Sequence, residues 1–218
     1  MNKIQNLLKI GDLRTTGKSD EVVELVLSKP PIFREVVSAI LTDDPGIRMR
    51  ASDAAEKITQ IHPEWINPHK KILLEKIAKI KQQEVRWHTA QMLPRLKLTK
   101  TERKRVFGLL LAYLEDKSRI VKTSTMQALA ELAIQDNTYL NQVHRLLSSL
   151  IKEGSPAMKA RGKKLLRMFS GEVIPVTFLT LMDIYGRWFG IRISGQDPKV
   201  KKEYRDFGIA RSKDHKVS

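Results

Sequence analysis

Four cations recur along the chain at nearly equal spacing and are the first candidates for a binding site. Each follows an aliphatic residue or a methionine, and the four are Arg48, Arg86, Lys122 and Lys159. If equivalent residues of a repeat lie along one ridge, these cations form a row that could bind successive phosphates. We call this set the cation row.

A second set of residues comes two positions after each member of the cation row: Arg50, His88, Ser124 and Arg161. We expect this set to face solvent and to be a better candidate for binding than the cation row. Trp87 is a further candidate, because an indole ring can stack on a nucleic-acid base. The alternative for Trp87, which we favour, is that it fills a gap between repeats. The predicted contact residues are Arg50, Trp87, His88 and Arg161.

Several kinds of chemistry find no support in the sequence. There is no cysteine, which excludes disulfides and thiolate chemistry. The five histidines are scattered and form no metal-binding motif, so we expect neither a metal ion nor a cofactor. No stretch is apolar enough for a spanning helix, and the N-terminus does not resemble a secretory signal. We therefore expect a soluble, cytoplasmic protein.

The charge of the chain points to an anionic partner. There are 40 Lys and Arg against 24 Asp and Glu, a net charge of +16. Residues 155–218 hold 14 basic and 6 acidic residues, so this segment carries +8, half of the excess. The densest cluster, from Arg95 to Arg105, is expected at an exposed turn. Such a balance favours nucleic acid, an acidic protein or an anionic membrane as partner.

The elements that must position these residues follow from a repeat. The residues before the cation row, Ile47, Val85, Val121 and Met158, are 38, 36 and 37 residues apart. This period is typical of a solenoid built from pairs of helices. Four positions after each of these anchors stands a small or short residue: Ala51, Thr89, Thr125 or Gly162. These residues would let a neighbouring helix approach closely.

Proline and glycine residues divide the chain into paired helices. Two flanking helices are predicted before residue 29, with Ser19 as an N-cap. Four pairs follow, and the predicted second helices of these pairs begin near Ile47, Glu84, Ser118 and Pro156. Thr101 is predicted to cap the first helix of the third pair without a full capping box.

The second helices resemble those of HEAT repeats, and the chain is similar to bacterial HEAT-repeat proteins. The residues that carry the resemblance are 44–58, 83–96, 116–132 and 155–166, in which a turn acid precedes an aliphatic–cation step in three of four copies. The resemblance implies that the cation row bonds these turn acids, a structural role that we favour over phosphate binding. Asp53 and Glu56 are expected to pair with Arg50 and with Lys57 or Gln60.

The predicted fold is all-α: a right-handed α-solenoid of HEAT-like pairs with an N-terminal flanking helix pair and a C-terminal capping helix. The predicted domains are a helical-repeat domain over 1–172, a capping or docking helix over 173–193, and a basic flexible tail over 194–218.

HEAT proteins are mostly scaffolds, so the resemblance implies a non-catalytic scaffold. Its concave, basic inner-helix face would bind an acidic protein partner. The alternative is nucleic-acid binding, including a HEAT-like DNA glycosylase with Asp53 and Trp87 near an alkylated base.

Overall fold

The computed structural model describes residues 2–11 and 15–169, and these residues form helices and turns without any β-strand. The all-α prediction is confirmed for this part of the chain. The α-helices are α1 Lys3–Leu8, α2 Ser19–Ser28, α3 Phe33–Ala39, α4 Pro45–Ile61, α5 Lys70–Glu75, α6 Gln83–Met92, α7 Lys100–Tyr113, α8 Arg119–Gln135, α9 Leu140–Glu153 and α10 Pro156–Phe169.

All of these helices belong to one compact unit, Met1–Glu172. The predicted capping helix over 173–193 and the predicted tail over 194–218 lie outside the described residues. Among the residues that are described, no helix has the length and apolar character needed to span a membrane.

The helices α4, α6, α8 and α10, which we call the second helices, pack against one another in chain order. They begin at residues 45, 83, 119 and 156, so their starts have the 38-, 36- and 37-residue spacing of the anchors. The helices α3, α7 and α9 pack against the second helix that follows each of them. At the N-terminal end, α1 and α2 both pack against α4.

The apolar core follows the face that the repeat predicts. The four anchors are buried, with Ile47 4%, Val85 0%, Val121 0% and Met158 5% exposed. The short residues four positions later are buried as well, and Gly162 shows why one of them must be small. A Cβ at Gly162 would lie 2.6 Å from Ile151 Cγ1 on α9 and 3.1 Å from Met126 Cε on α8. The helix α10 therefore sits closer to both neighbours than a larger residue would allow.

The helix starts are set by capping side chains. The Asp44 carboxylate accepts hydrogen bonds from the N–H groups of Gly46 and Ile47 and so caps α4. The prediction that Thr101 caps α7 is wrong. The cap is Thr99, and its hydroxyl and the Glu102 carboxylate form a full capping box.

The close approach at Gly162 predicts that Gly162→Ala lowers the free energy of unfolding. Overpacking a filled contact costs about 1–3 kcal/mol, which exceeds the gain of about 1 kcal/mol from replacing a helical glycine. We expect a net loss of about 1 kcal/mol, measured by urea unfolding.

The matched control is Gly108→Ala on α7, where a Cβ would meet no atom within 4 Å. This variant should gain about 0.5–1 kcal/mol, because only helix propensity changes. A gain for Gly162→Ala equal to that of Gly108→Ala would contradict the close packing of α10.

Candidate functional site

Two members of the cation row bond the turn of the following pair. The Arg86 guanidinium donates to Asp116 Oδ2 at 2.5 Å and to the Ile80 carbonyl at 3.2 Å, and it lies over the Tyr113 ring. Arg48 Nε donates to Gln82 Oε1 at 2.9 Å, so its partner is an amide rather than the acid that the resemblance implied. The bonds to Asp116 and Gln82 join one pair of helices to the next, and the bond to Ile80 stays within the pair that contains Arg86.

The other two members, Lys122 and Lys159, differ in their surroundings. Lys122 is half-buried and Lys159 is exposed, and neither ammonium group makes a hydrogen bond or an ion pair with another described residue. Lys122 acts at longer range on Asp116. Burial alone would raise the pKa of the Asp116 carboxyl, but the Ser118 N–H, Arg86 and Lys122 lower it below its ordinary value. The side chains of the first two members of the cation row are thus bonded to described residues, and those of the last two are not.

The prediction that Arg50 faces solvent is wrong, because α1 and α2 cover this side of α4. The Arg50 side chain is 2% exposed. Its guanidinium donates to the carbonyl groups of Leu8 and Lys9, at the C-terminal end of α1, with distances of 2.5 and 3.5 Å. A Cβ at Gly46 would lie 2.6 Å from Arg50 Nη2, so glycine leaves the space that this side chain needs. Arg50 thereby fixes α1 onto α4.

The prediction that His88 faces solvent is also wrong, because α6 packs between α4 and α8. His88 is 2% exposed, and its Nε2 lies 3.9 Å from Asp53 Oδ1. Burial lowers the pKa of the His88 imidazole below its ordinary value of 6.5. Asp53 and Glu56 oppose that shift, while Lys57 and Arg95 add to it. His88 is therefore buried between α4 and α8, where its surroundings favour the neutral imidazole.

Asp53 is held by internal bonds. It is 4% exposed and accepts hydrogen bonds from the Ser19 hydroxyl at 2.5 Å and from Lys57 Nζ at 2.8 Å. The expected pair with Lys57 is present. Burial would lower the pKa of the Lys57 ammonium, but Asp53 and Asp20 raise it above its ordinary value. Ser19 is the first residue of α2 rather than its N-cap, and its hydroxyl serves to join α2 to α4.

Glu56 has a partner that was not predicted from the sequence. Its carboxylate and its carbonyl accept hydrogen bonds from Arg95, which also donates to the Thr59 hydroxyl at 2.8 Å. Arg95 is therefore not part of the expected exposed cluster, and neither Lys57 nor Gln60 is the partner of Glu56. The signal in the sequence was available. Glu56 lies nine positions after its anchor and Arg95 lies ten after the next, so opposite charges stand at nearly equal distances from successive anchors.

Polar side chains of α8 and α10 are also bonded to one another. Arg161 is partly exposed and donates to Gln127 Oε1 at 2.9 Å, and Gln127 Nε2 donates to Glu131 Oε1 at 2.9 Å. Burial raises the pKa of the Glu131 carboxyl, although Gln127, Arg95 and Arg161 oppose that shift. Arg161 is thus the one predicted contact residue that combines partial exposure with a positive charge.

Trp87 is partly exposed, packs against the apolar core and lies 5.3 Å from the His88 ring, measured between ring centroids. Its Nε1 is buried without a hydrogen-bond partner among the described residues. This placement fits the gap-filling role that we favoured. Within residues 2–11 and 15–169, no three His, Asp or Glu side chains are grouped as a metal site would need.

Searches of the chain against protein-family models, curated proteins and solved structures gave no match. Membership of the HEAT family is therefore a proposal that rests on the repeat pattern and on the helix packing.

The contacts of Arg50 predict that Arg50→Ala lowers the free energy of unfolding by about 2–3 kcal/mol. The substitution removes hydrogen bonds from a charged donor and leaves two carbonyl groups at the end of α1 without it. Amide hydrogen exchange should rise across residues 3–9. The control is Arg34→Ala at an exposed position of α3, with a change within about 0.5 kcal/mol. Equal effects of the two variants would contradict the role of Arg50.

The burial of His88 predicts a dependence of stability on pH. The folded state binds a proton at His88 less readily than the unfolded state does. The contribution of His88 to the free energy of unfolding is therefore complete above about pH 6.5 and is lost as the pH falls. The loss for one group is at most about 1.4 kcal/mol per pH unit. We expect His88→Gln to show a smaller drop in unfolding free energy between about pH 7.5 and about pH 5.5 than the unmodified chain.

The exposed His144 on α9 provides the control, and His144→Gln should keep the full drop. Comparing each variant with itself at two pH values removes any pH-independent loss of stability. The same drop in His88→Gln as in the unmodified chain would show that His88 is not the responsible group.

Proposed function

We propose that this chain is a non-catalytic scaffold of HEAT-type helical pairs, arranged as a solenoid, that binds an acidic macromolecule. Three observations support the HEAT assignment. The second helices start at a 36- to 38-residue period, they pack in chain order, and Arg86 bonds the turn acid Asp116 of the next pair. The last contact is the one that the resemblance implied for the cation row.

The state of the carboxylates supports a non-catalytic role. A general acid or base must reach the group whose proton it transfers. Asp53 is buried and bonded to Ser19 and Lys57, and Glu56 is buried and bonded to Arg95. The glycosylase alternative needed Asp53 beside an extruded base, and this arrangement gives it no support.

The distribution of exposed charge carries the proposal of an acidic partner. Along α10 there are five cations and no acidic residue. Lys159 and Lys163 are exposed, and neither ammonium group bonds another described residue. Like charges this close repel one another and are stabilised by an approaching anion. The partner that the sequence analysis favoured is an acidic protein, with nucleic acid as the alternative, and both would be attracted to this surface.

The experiment that tests the proposal is binding of two polyanions, a fluorescein-labelled polyglutamate and a labelled DNA duplex of about 20 base pairs. Anisotropy of each probe is measured against the full chain at about 50 mM salt. We expect at least one probe to bind, with an affinity that falls as salt is raised. Absence of binding by both probes would contradict the proposed function.

A further inference from the structure

The solvent side of α10 has an unusually uniform chemistry. Its buried side consists of Met158, Gly162 and Leu165, which face α8 and α9. On the opposite side Lys159, Lys163 and Arg167 follow one another at every fourth position and are exposed. With a rise of 1.5 Å per residue, they are spaced about 6 Å apart along the helix axis. We call these three residues the α10 stripe.

The surroundings of the stripe add positive charge and almost no negative charge. Together α9 and α10 contain seven Lys and Arg and a single acidic residue, Glu153. Lys164 lies next to the stripe, and burial together with the like charge of Arg161 lowers the pKa of its ammonium group. Arg145 and Lys152 are exposed on α9. The positive potential is therefore not cancelled within this pair of helices.

In the described part of the chain, the lack of exposed large apolar side chains on α9 and α10 discriminates between the two classes of partner. Stable protein–protein contacts centre on a few buried aromatic or aliphatic side chains with a polar rim. The large apolar side chains that are exposed in the described part of the chain are Ile10, Ile61 and Ile134, and none lies on α9 or α10. A phosphate backbone needs no such anchor, since its binding depends on cations that displace counterions.

We propose that the α10 stripe binds the phosphate backbone of a nucleic acid without reading its base sequence. This inference rests on the proposed function and names its partner class and its surface. The three cations span about 12 Å along α10, and one strand of a duplex carries about three to four phosphates over the same axial distance, so the two charge densities are alike. Flexible lysine side chains absorb the remaining difference. Contacts of this kind hold the duplex in place and carry no sequence information.

The test is titration of labelled DNA duplexes with the full chain in which Lys159 and Lys163 are both replaced by Glu. Both side chains are exposed and without described partners, so the fold should persist, as checked by circular dichroism. We expect the affinity to fall about 10- to 100-fold at about 50 mM salt. The slope of log K against log salt should become shallower by about 2, one for each lost phosphate contact. Two duplexes of unrelated sequence should respond alike.

The matched control reverses two exposed cations at the other end of the chain, Arg34→Glu with Lys71→Glu on α3 and α5. It makes the same change in net charge but leaves the α10 stripe intact. It should therefore weaken DNA binding less than about threefold. Should the Lys→Glu pair lose its fold, Lys159→Gln with Lys163→Gln replaces it, and the slope should again become shallower by about 2.

The outcomes separate the two proposals. Binding of polyglutamate but not of DNA would overturn the nucleic-acid inference and leave the acidic-protein scaffold standing. DNA binding that is weakened equally by both charge-reversal pairs would overturn the assignment to the α10 stripe. Failure of both probes to bind would overturn the proposed function itself.

Discussion

The contact between consecutive second helices is the constraint on which the other features of the molecule depend. These helices approach closely because short side chains stand four positions after each anchor, and at Gly162 there is no room even for a methyl group. Close approach encloses polar side chains on the same surfaces, and an enclosed charge is costly unless it is bonded. Three bonds satisfy that requirement: Arg50 donates to α1, Asp53 accepts from α2, and Glu56 pairs with Arg95.

The charged residues therefore have different roles at different positions along the chain. In the first two pairs, cations and carboxylates of the second helices are used to join neighbouring elements. At α10 the acids are missing, and Lys159 and Lys163 are exposed without described partners. The cation that follows an anchor thus has a structural role in Arg86 and is available for an anion in Lys159. Binding at this end would leave the internal bonds of α4 and α6 intact.

The all-α class and the starts of the second helices could be predicted from the sequence because the apolar period and the proline and glycine positions are local signals. Each second helix begins two residues before its anchor. The candidate site could not be predicted in the same way. The exposure of Arg50 depends on α1, which is more than forty residues away in the chain and whose carbonyl groups are bonding partners that no sequence pattern displays. The burial of His88 likewise depends on helices on both sides of α6.

Lysine reactivity tests most directly whether the charges of the early pairs are structural while those of α10 are available to a ligand. Acetylation of the full chain, followed by mass spectrometry, gives a rate for each lysine with and without a DNA duplex of about 20 base pairs. Lys57, which is bonded to Asp53 and Asp20, should react slowly in both states. Lys159 and Lys163 should react quickly when free and be protected by the duplex, while the exposed Lys71 should be unaffected. Protection at Lys71 with no change at Lys159 and Lys163 would contradict this account.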